Sequence, residues 1–230
     1  MSATKQRSTG SNHSKPEPSD QRSGTAILVG AMVAMLVVAV VVVVLVTRGG
    51  SDSATVGVLH QTQAVSVTGT PLPALPNGGV DPAVGAAAPT ANGKGFDGTD
   101  GVVPAPATPT MIIFAAHWCP HCQREIPLIV DWLASGAARG ADVVLVATGT
   151  NADAPNYPPS AWLADVGWPG RVIADDDQGT LAHAYGLESF PLIIFVQADG
   201  TVARRIAGEQ ERAALDAGIA AIAAPATPAG

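Results

Sequence analysis

Hydrophobic and polar positions divide this chain into three zones. Residues 1–24 are polar, rich in Ser, Gln, Lys and Pro, and read as disordered. Residues 26–46 follow as an unbroken run of 21 positions without a charge. From residue 111 onward, short apolar runs alternate with amphipathic stretches. Residues 111–115 form a continuous apolar run, expected as a buried strand, and Cys122, Ile126, Ile129, Val130 and Leu133 then recur at helical spacing to about residue 134. Residues 142–146 and 192–196 predict two more buried strands, with a polar loop at 148–159, a short helix near 160–165, a brief strand at 171–174 and a helix near 178–185 between them. A turn at 198–200 brings 201–206 back as a partner strand, with Val202 and Ile206 expected on one face, and Leu215, Ile219 and Ile222 mark a final helix. Upstream, 56–58 and 64–67 predict short strands and 93–103 a small hairpin. Between them, 70–91 carries Pro71, Pro73, Pro76, Pro82 and Pro89 and reads as an arm laid on the domain or as linker. Strands alternating with helices and closed by a hairpin and a helix predict an α/β fold, a mixed central sheet flanked by helices.

The charge-free run adds a membrane element. At 1.5 Å per residue it spans roughly 31 Å, about the thickness of a bilayer core. It is longer than the apolar core of a cleaved signal peptide and no convincing Ala-x-Ala follows it, so it reads as an uncleaved anchor. Lys5, Arg7, Lys15 and Arg22 precede it, whereas only Arg48 follows before Lys94. The positive-inside rule then places the N-terminus in the cytoplasm and the rest outside. The expected organisation is a cytoplasmic N-terminus at 1–24, a transmembrane helix at 25–47, an extracytoplasmic linker at 48–80, a folded domain at 81–223 and a disordered tail at 224–230.

Net charge of −7 excludes a general nucleic-acid binder. The chemistry concentrates in Trp118-Cys119-Pro120-His121-Cys122, which holds the chain's only two cysteines. A disulfide closing so short a loop removes little entropy from the unfolded chain, so it is a poor staple and better suited to being made and broken. Pro120 fits a first helical turn, which puts Cys119 at or beside the N-cap, where free N–H groups and the helix dipole favour a thiolate. Cys122 falls on the buried stripe and Cys119 on the exposed end. Cys119 is therefore expected as the nucleophile and Cys122 as the thiol that resolves a mixed disulfide. His121, between them, would further stabilise the Cys119 thiolate. An exterior location also permits disulfide chemistry.

The apolar strand, Trp118-Cys119-x-x-Cys122 at a helix start, and Phe190-Pro191 before the strand at 192–196 together resemble the thioredoxin fold. More narrowly, Trp118-Cys-x-x-Cys122-x-x-Glu125-x-Pro127 resembles the membrane-anchored, extracytoplasmic TlpA-like/redoxin branch. Gly85-x-x-Ala88-Pro89 and Phe96-Asp97-Gly98 resemble that branch's N-terminal hairpin. The resemblance implies a cis proline at Pro191 facing the cysteines, with the Phe190 backbone free to pair with an extended client segment. It also implies client-protein thiols or disulfides as substrates, a membrane partner that recycles the cysteines, and no cofactor or metal. Two departures stand out. Thioredoxins carry a buried aspartate six residues ahead of the first cysteine; that position here is Ile113, and Glu125 is the nearest candidate substitute. The Pro120-His121 dipeptide resembles the oxidising DsbA-type proteins instead, because a histidine there stabilises the reduced form. The expectation leans toward an oxidase or isomerase, with a reductant for apocytochromes or other exported thiols as the alternative.

Other chemistries fit less well. Zinc needs about four ligands, and only two Cys with His117 or His121 are at hand. A Cu(I) metallochaperone using the cysteines with His183 is the better metal rival. Covalent haem attachment fails because Gln123, not His, follows the second cysteine. A peroxidase lacks its threonine because position 116 is Ala116. Asp175-Asp176-Asp177 reads as a turn and helix cap, not a calcium loop. Trp118 reads as a lid beside the sulfurs or as core edge, and Trp132, Trp162 and Trp168 as packing. The anchor reading has a direct check: protease added to intact cells should digest residues 47–230, and a mature protein beginning after residue 46 would make the run a signal peptide.

Overall fold

The computed structural model describes residues 59–223. The expected N-terminal segment, the span at 25–47, the strand at 56–58 and the tail lie outside the described residues. Among the described residues, no helix is long and apolar enough to cross a membrane.

Strand β4 (Thr110–Ala115) is the middle of an eight-stranded mixed sheet, and each of its six residues is buried. It runs parallel to β5 (Asp142–Ala147) and antiparallel to β7 (Leu192–Val196). Beyond β5 comes β6 (Arg171–Ala174), parallel; beyond β7 comes β8 (Val202–Ala207), antiparallel. At the β6 end, β2 (Thr90–Lys94) joins through Lys94 and also pairs with β1 (Ser66–Thr68) and β3 (Asp100–Val103). Strands covered on both faces show continuous apolar runs rather than alternation. That is why β4, β5 and β7 are the elements most legible in sequence.

Side-chain alternation along β4 feeds two cores. Met111, Ile113 and Ala115 point into one, with helices α1 (Pro120–Ala134), α2 (Pro159–Asp165) and α4 (Arg212–Ala223). Ile112 and Phe114 point into the other, beneath α3 (Thr180–Ala184) and Tyr185. Helices therefore cover both faces, as expected. Trp132 and Trp162 are buried in the first core and Trp168 packs against it. Gly218 lets α4 lie directly on the Phe195 ring, because a Cβ there would come within 2.1 Å of it.

Two expectations are corrected. Val202 and Ile206 do not share a face: a bulge between Phe195 and Val196 shifts the β7–β8 register, so Val202 enters one core and Ile206 packs on the other. A bulge adds one residue to a strand and reverses its alternation. The packed region also begins before residue 81. His60 donates its N–H to Phe96 O, residues 66–68 form β1, and Leu72 is buried in the second core. Asp175, in turn, is a helix cap as expected: its carboxylate accepts the Leu181 and Ala182 N–H groups at 2.9 and 3.0 Å.

The proline-rich arm is clamped by one ion pair. Arg205, whose side chain is 0% exposed, donates to both Asp81 oxygens at 2.9 and 2.5 Å, and to Pro73 O at 2.7 Å and Tyr185 O at 3.3 Å. Arm and domain touch so closely at Gly186 that a Cβ there would lie 2.5 Å from Pro73 O. The Arg205 hydrogen bonds hold the Asp81 carboxyl below its ordinary value. Asp81→Asn leaves a buried guanidinium without a counter-charge and should cost about 3–5 kcal/mol in urea unfolding. Because folding lowers this carboxyl, its contribution is full above the ordinary carboxylate range and is lost as pH falls through the lowered value. The wild-type advantage over Asp81→Asn should shrink in acid accordingly.

Candidate active site

The end of β4 hands the chain directly to the cysteines. Ala115 and Ala116 are buried, Cys119 is the N-cap of α1 with extended backbone (φ −74°, ψ 121°), and Pro120 opens the helix. Gln123 donates its N–H to Cys119 O at 3.0 Å, the first turn of the helix. Both thiols are free in the structure. Cys119 is 6% exposed and Cys122 0%. Cys119 is thus more covered than a helix start suggests, although the order of accessibility is as expected. Burial pushes the Cys122 thiol far above its ordinary range, and the adjacent Cys119 and Glu125 push it further.

Trp118, next to Cys119 in the chain, and Phe190 make an aromatic wall at the start of α1. Their rings meet edge to face at 5.7 Å, and the Trp118 indole N–H donates to Gly149 O at 2.7 Å. The Phe190–Pro191 peptide is cis, and Pro191 is buried next to β7. The structure thus brings Trp118, which precedes Cys119, against Phe190, which precedes Pro191, from sequence positions some 70 residues apart.

Glu125 lies on the same buried face as Cys122. It is 0% exposed; Oε2 accepts the Gln210 backbone N–H at 3.0 Å, and Oε1 is without a partner. Burial raises its carboxyl above the ordinary value, only partly offset by the Gln210 hydrogen bond. A buried carboxyl with one oxygen free is a proton-holding group, the property absent at Ile113. His121, by contrast, is exposed and turned to a residue that sequence reasoning missed. Its Nδ1 lies 2.6 Å from Glu209 Oε1, while Arg124 reaches both Glu209 oxygens with Nε at 3.1 Å and brings Nη2 within 2.6 Å of Oε1.

The loop after β8 is the main element unforeseen from sequence. Gly208 N–H donates to Pro191 O at 2.8 Å, Glu209 takes His121 and Arg124, and Gln210 N–H takes Glu125. Nothing in Gly208-Glu209-Gln210 by itself marks it. His117 is also more than a metal candidate. It is buried; its Nδ1 donates to Pro155 O at 2.8 Å and its Nε2 accepts the Asn151 N–H at 3.2 Å, pinning the loop after β5. His183 is exposed on α3. Among the described residues, no three His, Cys, Asp or Glu side chains are grouped to hold a metal.

The sequence model of the Redoxin family matches residues 85–219, more than half of the chain. The chain belongs to the Redoxin family. It is 32% identical over 103 residues to the methylamine utilization protein MauD of Methylobacillus flagellatus, covering 43% of this chain and 44% of that one. It therefore spans less than half the length of this curated relative. The structure is similar to that of a protein from Chlorobium tepidum described as a thiol:disulfide interchange protein DsbE, with a TM-score of 0.52, 24% identity, and coverage of 60% of this chain and 97% of the other. A thioredoxin-like protein structure from Neisseria meningitidis gives a TM-score of 0.50 at 22% identity, covering 58% and 87%. These likenesses establish that this redoxin has the thioredoxin-like fold.

The buried carboxyl of this redoxin yields a stability prediction. Folding raises Glu125, so its contribution is full below the ordinary carboxylate range and is lost as pH rises through the raised value. Glu125→Gln should therefore melt above wild type at about pH 8, with the difference closing toward about pH 4. A variant less stable at the higher pH would refute the proton-holding assignment.

Proposed function

We propose that the protein is a thiol–disulfide oxidoreductase that exchanges disulfides with client proteins outside the cytoplasm. The asymmetry of its two thiols carries this reading: one sits at a helix start beside an aromatic wall, and the other is sealed beneath it next to a buried carboxyl. The thiol:disulfide interchange named for the Chlorobium tepidum protein is the same chemistry.

In the reducing direction the Cys119 thiolate attacks a client sulfur. A Cys119–client disulfide forms, the client's own disulfide breaks, and the first client thiolate leaves and takes up a proton. Cys122, once it has lost its proton, then attacks Cys119 Sγ. The Cys119–Cys122 disulfide forms and the second client thiol departs with the proton. The protein dithiol is oxidised by two electrons and the client disulfide reduced by two. Oxidation of a client is the same sequence reversed, beginning from the protein disulfide. The client segment lies along Phe190-Pro191, where the proline nitrogen offers no donor of its own.

The Cys-Pro-His-Cys sequence favours the oxidase or isomerase direction, as in DsbA-type proteins. Reduction of apocytochromes or other exported thiols is the alternative. A single span at 26–46 would hold the domain at the outer membrane face, within reach of a membrane redox partner. This part of the proposal rests on sequence alone.

Cys122→Ala in the full chain should trap mixed disulfides through Cys119, and Cys119→Ala should trap none and abolish insulin reduction and refolding of a scrambled substrate. Pro191→Thr should keep the fold and slow client release. Tight Cu(I) binding by both thiols without any exchange would replace this reading with the metallochaperone one.

A further inference from the structure

Three charged side chains gather at the rim of the exchange site, and the mechanism above uses none of their pairing. His121 and Arg124 lie on the first turns of α1; Glu209 comes from the loop after β8, 88 and 85 residues further along. The geometry fixes who bonds whom. Arg124 addresses the carboxylate with two nitrogens, a fork that matches its shape. Nδ1 of His121 lies 2.6 Å from the carboxylate and 3.1 Å from Arg124 Nη2. A ring nitrogen cannot both donate to the first and accept from the second. The shorter separation is that of a donated, charge-assisted bond, so Nδ1 carries its proton toward Glu209. The Arg124 guanidinium and the His121 Nδ1–H, both at the start of the cysteine helix, are therefore committed to one anion. Arg124 stands close enough for this to matter, because the Cys119 thiolate lies within its electrostatic reach. Together Arg124 and His121 hold the Glu209 carboxyl down at about 2, so it is an anion throughout the working range.

We propose that Glu209 is a positioning residue for the exchange reaction, its carboxylate engaging the His121 Nδ1–H and the Arg124 guanidinium at the start of the cysteine helix and thereby restraining the oxidising power of the Cys-Pro-His-Cys sequence. The proposal rests on the exchange reading. A cation near Cys119 stabilises the reduced form and makes the disulfide a stronger oxidant; an anion that engages the cation weakens the effect. The loop is well placed to hold such a restraint, because Gly208 N–H is bonded to Pro191 O and Gln210 N–H to Glu125.

The test is the equilibrium of the full chain with glutathione, in which two glutathione thiols are oxidised to glutathione disulfide as Cys119–Cys122 is reduced. An exposed ion pair changes an equilibrium by at most about fivefold. Glu209→Gln should raise the equilibrium constant for reduction by about that factor, equivalent to about 20 mV. Glu209→Asp, which keeps the charge, should move it by less than half as much on a logarithmic scale. The Glu209→Gln shift should collapse at about 0.5 M salt, where exposed charges are screened, and should be less than half as large on a His121→Ala, Arg124→Gln background. No shift or a shift toward a weaker oxidant overturns the proposal. So does a shift indifferent to salt, which would mean a displaced loop. A wild-type chain that forms no Cys119–Cys122 disulfide in any glutathione buffer overturns the exchange reading, and this proposal with it. A wild type that equilibrates normally beside an unchanged Glu209→Gln overturns this proposal alone.

Discussion

Residues 110–115 of β4 are buried on both faces, and their backbone N–H and C=O groups are paired chiefly with β5 and β7. This pairing fixes the strand's register against both neighbours. A one-residue slip would turn Met111 and Ile113 into the core now holding Ile112 and Phe114. The point at which the chain leaves the sheet is therefore set, and Cys119 starts α1 four residues after β4 ends. The same neighbour, β7, begins at Leu192, directly after Pro191. The cysteine helix and the proline therefore adjoin strand ends that lie on the same side of the sheet.

On that frame the site separates into a dry half and a wet half. Cys122 and Glu125 lie beneath α1 without solvent, where a charge is costly and both groups favour their protonated forms. His121, Arg124 and Glu209 lie at the rim, where charge is cheap and screened. Cys119 stands at the boundary and is the one sulfur open to both. The loop 208–210 touches each half through consecutive residues, a carboxylate outward and a backbone N–H inward. Its anchorage to Pro191 O makes the proline, the buried carboxyl and the rim charges one connected unit.

Several elements of this protein were legible because their signals are local. The three continuous apolar runs became β4, β5 and β7; the Cys122, Ile126, Ile129 stripe became the buried face of α1; Pro120 opened the helix and left Cys119 at its cap. Each depends on residues within one or two turns, so spacing alone determines it. The paired cysteines, as the only two, announced the chemistry in the same way.

What the tertiary structure decided involves partners far apart in sequence. The bulge that separates Val202 from Ile206 arises between two strands, and neither strand's pattern contains it. The early start of the domain involves a buried Arg205 reaching Pro73 O, 132 residues away. Glu125 stood in the sequence only as the nearest substitute for a missing buried aspartate, and what covers it is a loop 85 residues on, whose Gln210 N–H bonds its carboxylate. His121 carried an expected role toward Cys119, yet its ring nitrogen is given to Glu209, 88 residues distant. Local spacing settles which face of a helix is buried and which residue begins it. The state of a titratable group is set by what packs against it, and that is known only once the chain has closed on itself.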